Sequence, residues 1–143
     1  MGIEQVLVVL KPDGVELGLL PELLSELRSR ALQLDESWLI TFDEVTVRRM
    51  YPTYQDAWFF PDVVRFLMSG CSIVTIWSGD NAKQQAGAVK GSSYGKSGMR
   101  ARWSSEKMVG PDGREILLKN VMHVSDIVQF PFEYNLLKNV GCS

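Results

Sequence analysis

Gln5-Val6-Leu7-Val8-Val9-Leu10, followed at once by Lys11-Pro12-Asp13-Gly14, is the stretch from which the fold can be read. The run is short, partly β-branched and apolar at successive rather than alternate positions, so it reads as a strand covered on both faces, at the centre of a sheet. Pro-Asp-Gly is turn chemistry, because Pro fixes φ and Gly accepts positive φ. Lys11 is thereby planted at the carboxyl edge of an inner strand, where open sheets place ligand groups. Taken alone, it reads equally well as a solvated strand-end lysine.

Outward from that strand the pattern is regular. Pro21 suits a first helical position, and Leu20, Leu23, Leu24 and Leu27 share one helical face, giving a helix that ends near Arg30. Leu34 to Phe42 reads as a second strand, and Asp43 as the N-cap of a short helix that Pro52 terminates. Phe60, Val63, Val64 and Leu67 predict a helix from about Trp58 to Ser69, and Ser72 to Trp77 a third strand. Asp80 would cap a weakly amphipathic helix running to about Lys90, where Gly91 stops it. Residues 91–115 are polar and glycine-rich, with a second turn at Gly110-Pro111-Asp112-Gly113. So long an excursion inside a compact domain is functional or assembles an oligomer. Ile116 to Met122 then reads as a buried strand with His123 at its mouth, and a last helix starts around Asp126 with Pro131 in its first turns. The order β-α-β-α-α-β-α-β-α predicts an α+β fold, the ferredoxin-like split βαβ: a four-stranded antiparallel sheet with helices on one face.

Composition sets outer limits. At 143 residues the chain fits one domain, 1–143, large enough to bury a core without staples. Hydrophobic residues at 45% and charged residues at 22% exclude disordered and fibrous classes. Fifteen Lys and Arg against seventeen Asp and Glu leave a net charge of −2, so nothing pulls the chain towards nucleic acid or an anionic membrane, and an anion site must be built locally. Cys71 and Cys142 are far apart and read as thiols in a reducing compartment. With no apolar run near the ~18 residues of a membrane span and no signal-peptide pattern at the start, the expectation is a cytoplasmic protein without a membrane partner.

The chain has one histidine, in Asn120-Val121-Met122-His123-Val124-Ser125-Asp126. A strand mouth holds a side chain rigidly while leaving it open to a cleft, as a nucleophile requires. From this stretch alone, a merely hydrogen-bonded strand-end histidine is the simpler reading.

Five motifs taken together change that. Val9-Leu10-Lys11-Pro12-Asp13-Gly14-Val15, Tyr51, Phe59-Phe60-Pro61 with Met68-Ser69-Gly70, Trp77-Ser78-Gly79-Asp80-Asn81-Ala82, and Asn120 to Asp126 occur in this order. So spaced, the chain resembles the nucleoside diphosphate kinases from about Gln5 to Asp126. The resemblance implies a ping-pong transfer in which His123 takes the γ-phosphoryl of a nucleoside triphosphate and passes it to a nucleoside diphosphate. It implies further that Lys11 bridges the terminal phosphate and the sugar hydroxyl, that Asn120 holds the ribose, and that Tyr51 packs beside the nucleophile. Phe59 would stack on the base with Leu117 as the opposing wall, and Ser93 and Arg100 would hold phosphates. Glu133 would orient the histidine, with Gln129 as the fallback. Mg²⁺ would come in with the nucleotide, and the partners would be nucleoside di- and triphosphates and further copies of the chain.

Several positions depart from the family pattern. Gly87 stands where the family has a second arginine, and Lys90, Lys83, Lys96 and Arg102 are the available substitutes. Val124 replaces the glycine after the histidine. The loop carrying Ser93 and Arg100 is rebuilt, the family's loop proline is missing near Tyr94-Gly95, and the sequence stops soon after the last helix, so the usual hexamer is in question. These departures imply reduced activity; the alternative is an impaired domain kept for nucleotide binding or assembly.

Overall fold

A computed structural model describes residues 3–91 and 97–141. The four-stranded sheet is built from β1 (Ile3–Leu10), β2 (Gln33–Thr41), β3 (Cys71–Asp80) and a short strand near the histidine, here β6 (Met122–Val124). Its order is β2-β3-β1-β6, and every neighbouring pair is antiparallel. β1 is thus an inner strand, as its sequence predicts.

The expected placement of helices on one face is corrected. Val6, Val8 and Leu10 of β1 pack into one cluster with Leu19, Leu23, Leu27, Ala86 and Val89, from α2 (Leu20–Ser29), α5 (Ala82–Lys90) and the residue before α2. Leu7 and Val9, on the opposite face, pack with Val47, Phe60, Val64, Leu67 and Leu137. Those belong to α3 (Glu44–Met50), α4 (Phe60–Met68) and α7 (Phe130–Lys138). Both faces are therefore covered, which is the physical reason that β1 is apolar at every position from Val6 to Leu10.

Local chemistry marks several element ends. The Asp43 carboxylate accepts from the Thr46 N–H at 2.7 Å, capping α3 as expected. The cap of α5 moves from the expected Asp80 to Asn81, whose φ of 54° places it in the left-handed region that Asn tolerates. Pro12-Asp13-Gly14, read as a turn, is the start of a short helix, α1 (Pro12–Glu16). The last helix begins at Phe130 rather than near Asp126, with Pro131 in its first turn.

Three elements go beyond the sequence reading. Within the expected loop lie α6 (Gly98–Trp103) and a hairpin of β4 (Ser105–Val109) with β5 (Glu115–Lys119), closed by the Gly110-Pro111-Asp112-Gly113 turn. The single strand expected over Ile116–Met122 is consequently two: β5 joins the hairpin and β6 joins the main sheet. Cys71 lies with its sulfur 3.7 Å from the Thr41 hydroxyl, and Cys142 is outside the described residues. Among the described residues no helix is long and apolar enough to cross a membrane.

The break between β5 and β6 falls at Val121, whose φ is 65°. A β-branched residue adopts that conformation only under compulsion. The Lys11 N–H donates to the Val121 carbonyl at 2.8 Å, and the Val121 N–H donates to Asp13 Oδ2 at 3.0 Å. The close approach of α1 requires Gly14, because a Cβ there would meet Leu10 Cδ1 at 2.5 Å and the Val121 carbonyl at 3.1 Å. Gly14→Ala is expected to cost about 1–3 kcal/mol of stability through overpacking, read as a lower urea midpoint at unchanged m-value; an unchanged midpoint would show that the contact relaxes freely.

Candidate active site

The clamp at Val121 aims its neighbours. Met122 N–H donates back to the Asn120 carbonyl at 2.8 Å, closing a three-residue turn that separates Asn120 from His123. His123 pairs with Val9 in the sheet register, and the strand is fastened at its far end by Ser125. The Ser125 N–H donates to the Leu7 carbonyl at 2.8 Å, and its hydroxyl accepts from the Leu7 N–H at 2.9 Å. Ser125, within the histidine motif, thus has a structural role: its hydroxyl replaces a missing rung of the ladder.

Glu133, buried on α7, lies with Oε1 2.8 Å from His123 Nε2. Pro131, as the second residue of α7, fixes that register. Gln129, the fallback, is instead the exposed residue preceding the helix. With Nε2–H donated to the carboxylate, the lone pair of the neutral ring sits on Nδ1. The His123 side chain keeps 16% of its surface open. The Tyr51 ring packs edge-on against it at 5.7 Å, and Tyr54 stacks on Tyr51 at 5.9 Å. Burial first, then the negative Glu133, holds the Tyr51 hydroxyl above its usual value, so it stays protonated at neutral pH.

His123, Lys11, Lys90, Arg100, Asn120 and Val124 line one cleft of about 500 Å³. Its side walls carry Tyr51 and Phe59, at the two ends of the connection between α3 and α4, and Leu117 on β5. The sequence-predicted residues are therefore brought together, except that Ser93, like Lys96, lies outside the described residues. Lys11 donates to Asn120 Oδ1 at 2.7 Å. Arg100 donates from Nε to the Asn120 carbonyl at 3.2 Å and from Nη2 to the Met122 carbonyl at 2.9 Å. Of the proposed substitutes for the arginine missing at Gly87, Lys90 is in the cleft. Arg102 pairs with Glu22 and Glu26 on α2, and Lys83 does not line the cleft. Gly87 itself faces open space. Val124 is buried against the cleft beside the histidine.

The cleft's electrostatics suit an anion. Burial, with Arg100 second, lowers the Lys11 ammonium to about 7. Burial, again with Arg100 second, lowers Lys90 to about 8. Three cations held apart from water destabilise one another, and a phosphate chain would relieve them all. Apart from Glu115, the charged lining is cationic, so it offers no carboxylate cage for a divalent metal.

Comparison with known proteins follows the same lines. A family model described as nucleoside diphosphate kinase matches residues 4–133. The chain belongs to the nucleoside diphosphate kinase family. The enzyme of Haloquadratum walsbyi is 31% identical over 123 residues, covering 86% of this chain and 74% of its own. That of Eremothecium gossypii is 28% identical over 129 residues, covering 90% and 82%. Among solved structures, the Halobacterium salinarum nucleoside diphosphate kinase in complex with CDP superposes with a TM-score of 0.80 at 24% identity, over 94% of this chain and 87% of that one. The Aquifex aeolicus enzyme gives 0.79 at 20% identity, over 94% of both chains. The ferredoxin-like fold is shared with both.

Because the chain has one histidine, its imidazole titration is directly readable by NMR. Burial, together with Lys11 and Lys90, lowers His123 from its ordinary 6.5, and Glu133 opposes them. The titration midpoint is expected below 6.5. Glu133→Gln removes a raising influence and should move it lower still, whereas Lys11→Met removes a lowering one and should move it up. A midpoint that ignores both substitutions would separate the ring from these partners.

Proposed function

We propose that this chain is a nucleoside diphosphate kinase that moves the γ-phosphoryl group of a nucleoside triphosphate to a nucleoside diphosphate through a phosphohistidine at His123. The observation that carries the reading is the pairing of His123 Nε2 with Glu133 on one side and the cationic cleft with Lys11 and Arg100 on the other. Binding of CDP by the Halobacterium salinarum relative supports the nucleotide class.

In this reading the Nδ1 lone pair attacks the γ-phosphorus in line. A P–N bond forms, the bond from phosphorus to the β,γ-bridging oxygen breaks, and the nucleoside diphosphate leaves. A second diphosphate then attacks the phosphohistidine in reverse. No base is needed, because the neutral ring already presents its lone pair. Positive charge developing on the ring is balanced by the Glu133 carboxylate, and charge on the phosphoryl oxygens by Lys11 and Arg100. Asn120, held by Lys11, takes a ribose hydroxyl, Tyr51 walls the ring, and Phe59 and Leu117 hold the base between them. Stacking accepts any base, because each has a π-face. Ser93 is assigned a phosphate contact by the family pattern alone. A Mg²⁺ ion brought in with the nucleotide would supply charge neutralisation on the phosphates, and the described lining, with Glu115 as its one carboxylate, would leave its binding to the nucleotide.

Incubation with γ-labelled ATP is expected to leave an acid-labile, base-stable label, absent in His123→Gln. Glu133→Gln should slow its formation roughly 10- to 100-fold. A wild-type chain that binds ADP but takes no label would be a nucleotide-binding domain rather than a kinase, an outcome that Val124 beside the ring makes worth measuring.

A second measurement reads Lys11. Free, it is near half-charged at neutral pH. A bound phosphate favours the ammonium and raises its pKa, so ADP binding at about pH 7.5 should take up protons and weaken as pH rises. Calorimetry in buffers of different ionisation enthalpy reports the uptake, which Lys11→Arg should diminish, since guanidinium does not titrate there.

A further inference from the structure

Among the cations of the cleft, Lys90 differs from its neighbours in what it already holds. Arg100 has committed Nε and Nη2 to two main-chain carbonyls. Lys11 donates to Asn120. The Lys90 ammonium, in the last turn of α5, has no hydrogen-bond or ion-pair partner among the described residues, although it lines the same cleft as His123. The stretch 92–96 that follows contains no acidic residue. A partly buried ammonium without a carboxylate is costly, and such a group persists where a ligand supplies the missing charge.

We propose that Lys90 is a further cation, beside Lys11 and Arg100, that takes the phosphate chain of a bound nucleoside di- or triphosphate, in the cleft assigned above to nucleotide. The assignment rests on the nucleotide-binding part of that reading and not on phosphoryl transfer. Lys90 supplies three donors on a flexible stem, which suits non-bridging phosphate oxygens as a point charge. It also explains how the cleft works with an open Gly87 one turn earlier on the same helix: the charge comes from the next turn.

Its charge state tracks pH in a range open to measurement. Its charged neighbours are Arg100 of α6, Lys83 of its own helix, Lys11 and His123; Tyr51 and Glu115 of β5 line the same cleft without acting on it. Burial and the positive neighbours bring Lys90 to about 8 in the free protein. Phosphate raises it, so the ammonium's advantage is full near pH 7 and fades in alkali.

The test is ADP affinity by calorimetry for the wild type, Lys90→Met and Lys90→Arg between about pH 7 and 10. Lys90→Met is expected to bind ADP roughly 10- to 100-fold more weakly at pH 7, a deficit that narrows as pH rises and the wild type loses its charge. Lys90→Arg should retain affinity to higher pH than the wild type. The His123 NMR midpoint should rise in Lys90→Met, since Lys90 lowers it, which shows that the variant is folded with its cleft intact. Affinity within twofold of wild type in Lys90→Met, or a deficit that does not change with pH, overturns the proposal. Failure of the wild type to bind ADP overturns both this assignment and the nucleotide reading. Lys90-dependent binding without phosphohistidine formation leaves this assignment standing and removes only the kinase.

Discussion

Val121 is the point on which the rest of the site hangs. Its left-handed backbone is unfavourable for a valine, by about 1–3 kcal/mol, and it is imposed from more than a hundred residues away, by the Lys11 N–H and the Asp13 carboxylate. The return is geometric. The chain turns once between Asn120 and Met122, so that a strand leaving the hairpin re-enters the main sheet as β6 with His123 opposite Val9. The same residue, Lys11, ends β1 with its main chain on Val121 and its side chain on Asn120. Backbone and functional groups are thus locked by one junction. Asp13 is itself held at a cost: among the described residues one of its oxygens is buried without a hydrogen-bond partner, and burial raises its pKa.

From that junction the remaining parts follow in order. β6 is only three residues long and lies at the sheet edge. Ser125 supplies an extra rung at one end, and Arg100 takes the Met122 carbonyl that the edge would leave open. Arg100 therefore serves the strand as much as the cleft. Its helix, α6, is tied down in turn by Arg102 and Trp103 on Glu22. Helix α7 closes the other face of the sheet and brings Glu133 under the imidazole.

What could be read from the sequence depended on whether the cause was local. The strand at Gln5–Leu10, the leucine face of α2, the Asp43 cap and the apolar face of α4 all announce themselves within a turn or two. The described residues that the family resemblance singles out, from Lys11 to Glu133, lie around one cleft. The hairpin did not show, because β4 is mostly solvent-exposed and Ser105-Glu106-Lys107 gives no apolar alternation. Nor did the break at Val121, since Ile116 to Met122 is a continuous apolar run and the groups that bend it are distant in the chain. The one-face arrangement came from the element order and its right-handed crossovers, although β1 already carried the contrary signal in its unbroken apolar run.

The hairpin also gives the cleft an unusual mechanical character. β4 and β5 share no ladder with the four-stranded sheet. Their tip rests on Trp58, so tightly that a side chain at Gly110 would meet the indole at 2.4 Å. Phe59 and Leu117 thus stand on separate frameworks, like the jaws of a vice whose screw is a tryptophan ring. The spacing of those two side chains is therefore set by how the hairpin seats on that ring and not by a rung of the four-stranded sheet.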